Sequence, residues 1–296
     1  MRSFTLVPLA AAFIVGACGD KTPKSSDANA AEVSTVSPET PGVAAPAPAT
    51  TVGTPVSFAD AEATFTDKRY DEAVRLFTTY TTEHPQNAWG FYMLGLSAWK
   101  SGDRDGAVTA FGRALEQDSN HVKSRLNLSR VLIEQGKAQD ALPHVEAVLA
   151  HDSTSGEGYR LLGRARDELG DRGGAIEAFK HAIVLDGRDV WSLNNIGSVY
   201  IAQGRFDDAL GPLALVVELD STVAAFHNNL GIALEHTGRV EQARDAYRAA
   251  LAIDSTYHKA VGNLARIETL KQDSTVAPVD LGALAQSFVE QEKSWR

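Results

Sequence analysis

Asparagine recurs on a fixed spacing along this chain. Asn195, Asn229 and Asn263 stand 34 residues apart, Asn127 lies two such steps before Asn195, and Asn194 and Asn228 form a second row one place earlier. A primary amide carries both a donor and an acceptor. A row of amides on one face therefore suits the successive backbone amides of an extended peptide. Cations are interleaved with the row: Lys123, Arg130, Arg160 and Arg164 before it, Lys259 and Arg266 at its end. Guanidinium groups grip carboxylates through paired, charge-assisted hydrogen bonds. Glu157, Asp167 and Glu168 lie among these arginines, so internal neutralisation is the competing use for them. Trp89 and Trp191 are residues of the kind that anchor a partner's apolar side chain.

This is chemistry of binding, and no bond-making constellation accompanies it. The sequence lacks GxGxxG after a strand, a phosphate loop, HExxH, CxxC and GxSxG. His144 and His151 are the nearest histidine pair to one helical face, and nothing completes a metal site around them. Asp152 to Glu157 superficially suggests a calcium loop, but its twelfth position is Gly163 rather than glutamate. No catalytic residue, cofactor or metal is expected. The formal net charge of −10 argues against a nucleic-acid partner.

The elements that carry these residues repeat every 34 positions. Leu94-Gly95, Gly102, Ala107, Phe111 and Ala114 return as Leu162-Gly163, Gly170, Ala175, Phe179 and Ala182. The pattern continues as Ile196-Gly197, Gly204, Ala209, Leu213 and Val216, then Leu230-Gly231, Gly238, Ala243, Tyr247 and Ala250, while Leu128, Gly136, Ala141, Val145 and Val148 form a weaker copy. Each unit predicts two antiparallel helices. The glycine at 102 and its equivalents ends the first helix in a left-handed conformation. The small–large–small stripe faces the second helix inward. The glycine at 95 and its equivalents lets two backbones approach. One unit cannot hide both its faces, so the units must stack.

This strict register resembles the tetratricopeptide repeat. The resemblance implies an all-α fold, a right-handed α-solenoid of stacked 34-residue helix–turn–helix repeats. Full units fall at 88–121, 122–155, 156–189, 190–223 and 224–257, a degenerate unit at 54–87 and a capping helix at 258–272, so the solenoid covers 54–272. The proline usual near the end of such units is replaced by an Asp-Ser turn, expected to bond the next helix's free N–H groups. In this family the first helices line a concave groove, which would receive extended segments of partner proteins. The groove positions carry Asn127, Asn194, Asn195, Asn228, Asn229, Asn263, Lys123, Arg130, Arg160, Arg164, Trp89 and Trp191. The asparagines are similar to the ladder in O-linked N-acetylglucosamine transferases, although too little chain follows residue 272 for a catalytic domain. The same position also serves hydrogen bonds between repeats, and both uses stand open at this point.

The N-terminus has its own logic. Arg2 precedes a short apolar run, and residues 1–17 read as a signal peptide. Val15-Gly16-Ala17-Cys18 resembles the cleavage motif of bacterial lipoproteins, which implies acylation of Cys18, the chain's single cysteine. Membrane attachment through lipidated Cys18 follows, in a bacterial cell envelope. Gly19, in place of aspartate, leans to the outer membrane facing the periplasm. Residues 18–53 are rich in Ala, Pro and Thr and read as a disordered tether. At the other end, residues 273–296 give a loop and an amphipathic helix from Asp280. That helix either caps the last apolar face or detaches to bind a partner or a second copy. The functional expectation is a non-enzymatic, envelope-anchored scaffold. A pilotin-like assembly factor for a type IV pilus or secretin system and a self-associating spacer are the alternatives.

Overall fold

The computed structural model describes residues 55–296. The signal-peptide reading, Cys18 and the 18–53 tether lie outside the described residues. Fourteen helices and no strand are present among the described residues. They form six hairpins: α1 Phe58–Thr66 with α2 Tyr70–Glu83, α3 Ala88–Ser101 with α4 Arg104–Gln117, α5 Val122–Glu134 with α6 Ala138–His151, α7 Gly156–Glu168 with α8 Arg172–Leu185, α9 Val190–Ala202 with α10 Phe206–Leu219, and α11 Ala224–His236 with α12 Val240–Ile253. Two further helices follow, α13 His258–Ile267 and α14 Leu281–Lys293. The helix expected over 258–272 thus stops at Ile267, where the buried Arg244 side chain donates to the Ile267 and Leu270 carbonyls.

The hairpin turn is set by one backbone angle. Gly102, Gly136, Gly170, Gly204 and Gly238 all have φ between 71° and 94°. The residue at the same place in the first hairpin is Lys68, with φ 61°, the only non-glycine in that region among the described residues. A side chain there is strained against its own carbonyl. Lys68→Gly is therefore expected to stabilise the first hairpin by about 0.5–1 kcal/mol, read as a raised urea midpoint of the transition reporting α1 and α2.

The second glycine of the unit works differently from the expectation of close backbones. A Cβ on Gly95 would lie 2.6 Å from the Phe111 ring, one on Gly163 2.6 Å from Phe179, one on Gly197 2.6 Å from Leu213, and one on Gly231 2.5 Å from Tyr247. The glycine is a seat for the large side chain of its own hairpin partner. In the 122–155 unit the seat is filled by Ser129, and its partner is the smaller Val145; both are fully buried.

The Asp-Ser turns also differ from expectation. Asp152, Asp220 and Asp254 each accept from the amide and hydroxyl of the threonine two residues on, at 2.9 and 2.7 Å. The aspartate closes its own turn rather than capping the next helix. Those hydrogen bonds hold each carboxyl below its ordinary value. Caps come from Asn87, His121, Ser155 and Asp189, which open α3, α5, α7 and α9.

Packing fixes which side is concave. The first helices of successive hairpins touch one another, α3 with α5, α5 with α7, α7 with α9, α9 with α11 and α11 with α13; the second helices do not. The first-helix side is therefore the shorter, inner side of the stack. Two cores lie between the helices, one from Ala61 to Ala178 and one from Ala175 to Phe288, and they meet at α8.

The C-terminal helix does not cap the solenoid. It turns back along the outer side and packs on α10 and α8. The return path is pinned to α12, with Gln242 donating to the Val279 carbonyl at 2.8 Å and accepting from its amide at 2.9 Å. Ala285 and Phe288 are buried there, Phe288 lying against Gly211. On α13, Val261 stays exposed. α14 explains the composition of α10, whose sequence FDDALGPLALVVEL is largely apolar: it is the second helix that α14 covers most extensively.

Candidate peptide-binding groove

The inner side is electropositive in an acidic protein. Helices α3, α5, α7, α9, α11 and α13 carry nine Lys or Arg against five Asp or Glu; α2, α4, α6, α8, α10 and α12 carry seven against thirteen. The two sides thus differ in the sign of their formal charge.

The asparagines are brought together, but largely to bond one another. Asn263 donates to the Asn228 carbonyl oxygen at 3.0 Å, Asn228 to Asn229 at 3.3 Å, and Asn229 to Asn194 at 2.9 Å. Arg266 starts the chain by donating to Asn263 at 3.1 Å. Position five of one unit meets position six of the next, so four of the six amides form a link across α13, α11 and α9. Asn127 is also satisfied: it donates to the Lys123 carbonyl at 2.9 Å and accepts from Arg130 at 2.7 Å. Of the six, Asn195 alone makes no side-chain hydrogen bond among the described residues. The link between repeats has taken Asn194, Asn228, Asn229 and Asn263, and Asn127 is held within α5.

Asn228 is almost fully buried and bonds in both directions. Asn228→Ala leaves Asn263 without its acceptor. It should lower stability by about 1–3 kcal/mol in denaturant titration, with the fold retained by circular dichroism.

The cations divide in the same way. Arg130 pairs with Glu157 and lies 5.3 Å over the Trp99 ring. Arg160 donates to Asp189 at 2.7 Å. Asp189 was not legible as a partner; it is buried because it also caps α9. Lys123 sits 5.0 Å over Trp89, whose other neighbours are Tyr92 and His121. Trp89 is thus largely engaged, whereas Trp191 is 52% exposed and touches Phe226 only edge-on. Arg164 has neither an ion pair nor a hydrogen bond among the described residues. Burial and the neighbouring Arg130 push its guanidinium below the ordinary value, and Glu134 and Glu168 oppose the shift. Arg130, Arg160, Arg164, Trp191, Asn194 and Asn195 line one cavity of about 450 Å³. A second cavity, about 360 Å³, continues past Arg164 and Asn195 toward Asp167, Glu168 and Ser198.

A sequence profile of the tetratricopeptide repeat matches residues 92–157, 126–189, 160–222 and 194–258, an unbroken span over more than half the chain. The chain belongs to the tetratricopeptide repeat family. Its fold is that of other tetratricopeptide repeat proteins. One from Thermus thermophilus superposes with a TM-score of 0.55 at 22% identity, over 62% of this chain and all of that one. Another, from Parabacteroides merdae, gives 0.60 at 13% identity over 71% of this chain and 82% of that one. Among curated proteins the chain is similar to BBSome complex member BBS4 of Bos taurus, 25% identical over 223 residues, covering 71% of this chain and 42% of that protein. It spans less than half the length of the curated relatives it matches over most of its own length. Tetratricopeptide repeats are generally non-catalytic interaction scaffolds that bind peptide partners, and the inner side described above is the surface this fold offers for it. Among the described residues no helix is long and apolar enough to cross a membrane.

Proposed function

We propose that the chain is a non-enzymatic scaffold, held in a bacterial cell envelope by lipidated Cys18, that receives an extended acidic segment of a partner protein in its concave groove. The observation that carries this reading is the open, electropositive inner side: α14 packs on α10 and α8 of the outer side and leaves the groove clear. Binding there costs little reorganisation, because the asparagine link and the Arg130 and Arg160 ion pairs already fix the groove walls.

Two comparisons test it. Cys18→Ser should move the protein from the membrane to the soluble fraction and remove incorporation of labelled palmitate; an unchanged membrane fraction refutes the anchor. For the groove, proteins co-purifying from envelopes are compared between the charge-reversed pairs Lys123→Glu with Arg164→Glu, inside, and Asp207→Lys with Asp208→Lys, outside. Loss of a partner only from the inner pair supports the groove. Loss only from the outer pair places binding elsewhere.

A further inference from the structure

The repeat pattern does not stop at α13. One step of 34 residues on from the sixth hairpin, Leu264 and Ala265 stand where Leu230 and Gly231 stood, and Gln272 where Gly238 stood. Asp273 falls at the place from which Asp103 and Asp171 cap α4 and α8. Ala277 continues the series Ala107, Ala141, Ala175, Ala209 and Ala243, and Leu281 the series Phe111, Val145, Phe179, Leu213 and Tyr247. The sequence therefore spells a seventh hairpin, whose second helix would run over 274–287. Two departures leave it open. Gln272 replaces the left-handed glycine, as Lys68 does with φ 61° in the first hairpin. Pro278 falls near the helix start, where few backbone N–H groups are yet bonded, and Pro143 and Pro212 lie inside α6 and α10.

The structure holds this stretch otherwise. Residues 271–280 are not helical, and Leu281 opens α14, which packs on α10 and α8. Helix α13 is left as half a hairpin. Val261 is 45% exposed, whereas its equivalents Phe91, Leu193 and His227 are buried. Ala265 is exposed, whereas Gly95, Gly163, Gly197 and Gly231 are buried beneath the large side chain of their hairpin partner. The seat on α13 is vacant, and Leu281, which the pattern assigns to it, lies against the core that includes α10.

Two residues that break the repeat hold the observed path. Gly211 is glycine where Arg75, Thr109, Pro143, Glu177 and Asp245 carry side chains, and a Cβ there would lie 3.1 Å from Phe288 Cβ. Arg244 replaces Val74, Val108, Leu142, Ile176 and Leu210. It is buried and takes the Ile267 and Leu270 carbonyls, so that α13 ends before the place equivalent to the end of α11.

We propose that the C-terminal segment is a strap with two positions. In one, α14 covers α10 and the Val261–Ala265 face of α13 is open. In the other, 274–287 form the second helix of a seventh hairpin with Leu281 on Ala265, and Leu210, Ala214 and Leu215 of α10 are uncovered. Residues 281–287 serve both positions, which therefore exclude one another. Each position leaves one apolar face open, so a ligand that covers one face draws the strap to the other.

The test uses the full chain with alanine labelled at Cα with carbon-13 and with 5-fluorotryptophan. The Cα shift of Ala277 reads helix at 274–287. Trp295, 5.5 Å from the Phe288 ring and 5.3 Å beneath Lys180, reads the docking of α14. The two signals are assigned by their loss in Ala277→Ser and Trp295→Phe. Gly211→Leu takes the space beneath Phe288. It should release Trp295 and raise the population with Ala277 in helix by about tenfold or more, and Arg244→Leu should raise it further. Adding Ala265→Phe, which fills the seat, should leave Trp295 released and return Ala277 to its non-helical position. The signals of Trp89, Trp99 and Trp191 should stay in place throughout. Trp295 released with Ala277 non-helical in both Gly211→Leu and its combination with Arg244→Leu would overturn the second position. A helical Ala277 that ignores Ala265→Phe, or both signals unmoved in the combined variant, would overturn it too. None of these outcomes bears on the groove, which the co-purified partner tests.

Discussion

Deletion of residues 274–296 is expected to make the solenoid self-associate more strongly than the full chain. The reasoning starts from α10. Its Leu210, Pro212, Ala214 and Leu215 are buried, although a second helix ordinarily leaves one side to water. α14 provides the cover, with Phe288 seated against Gly211 and stacked edge-on with Trp295 at 5.5 Å. Without α14 a contiguous apolar strip opens on the outer side, and such strips associate. Sedimentation velocity should show a concentration-dependent shift in the truncated chain. Phe288→Ala is the milder form. It removes a ring whose loss from a core costs about 3–5 kcal/mol, and Phe288 is the one large apolar side chain of α14 that is buried, so α14 should undock while α1–α13 stay folded. Hydrogen exchange confined to residues 268–296 would read that release. A truncated chain that remains monomeric with an unchanged urea midpoint contradicts this account of α14.

The second large effect is expected at Phe179. The two cores meet at α8, and the Phe179 ring, 1% exposed, lies on Gly163 across that junction. The ring occupies the space a Gly163 side chain would fill, so Phe179→Ala leaves a gap beside a residue with no side chain to close it. A loss of about 3–5 kcal/mol follows. In a stack whose units are stabilised mainly by their neighbours, weakening one junction divides the unfolding into parts. Trp89 and Trp99 report the N-terminal half, Trp191 and Trp295 the C-terminal half. In the wild type the four should report one transition in urea. In Phe179→Ala the two pairs should separate. Coincident transitions at the wild-type midpoint would show that the junction does not couple the halves in this way.

The repeat pattern was legible because a 34-residue period leaves its mark on several residues at once. Gly102 and its equivalents announce a backbone angle, and Phe111, Phe179 and Tyr247 announce the large member of a hairpin pair. The seat role of Gly95 was less legible, since a missing side chain says only that something is close. The pairing of Ser129 with Val145 was the available signal. The asparagines were legible as a row but not as a link, because an amide that bonds a peptide and one that bonds the next repeat need the same residue. Their offset of 35 residues, position five to position six, is the feature that distinguishes the two uses. Asp189 escaped notice because it belongs to a turn, and Arg164 stood out only when its unit was compared with the one before. The path of α14 was written in α10 rather than in α14 itself: an amphipathic last helix fits any apolar surface, whereas a second helix whose outer side carries Leu210, Ala214 and Leu215 requires a cover.

The central claim is that the inner side of the solenoid is where a partner is held. It is tested most directly by placing a photo-crosslinking amino acid at Asn195, in the groove, and a matched one at the exposed Asp208 on α10, then identifying adducts from intact envelopes by mass spectrometry. The account predicts one defined protein captured from Asn195 and not from Asp208, joined through an extended segment that carries a carboxylate. Equal and scattered adducts from both positions, or a defined protein captured only from Asp208, would contradict it.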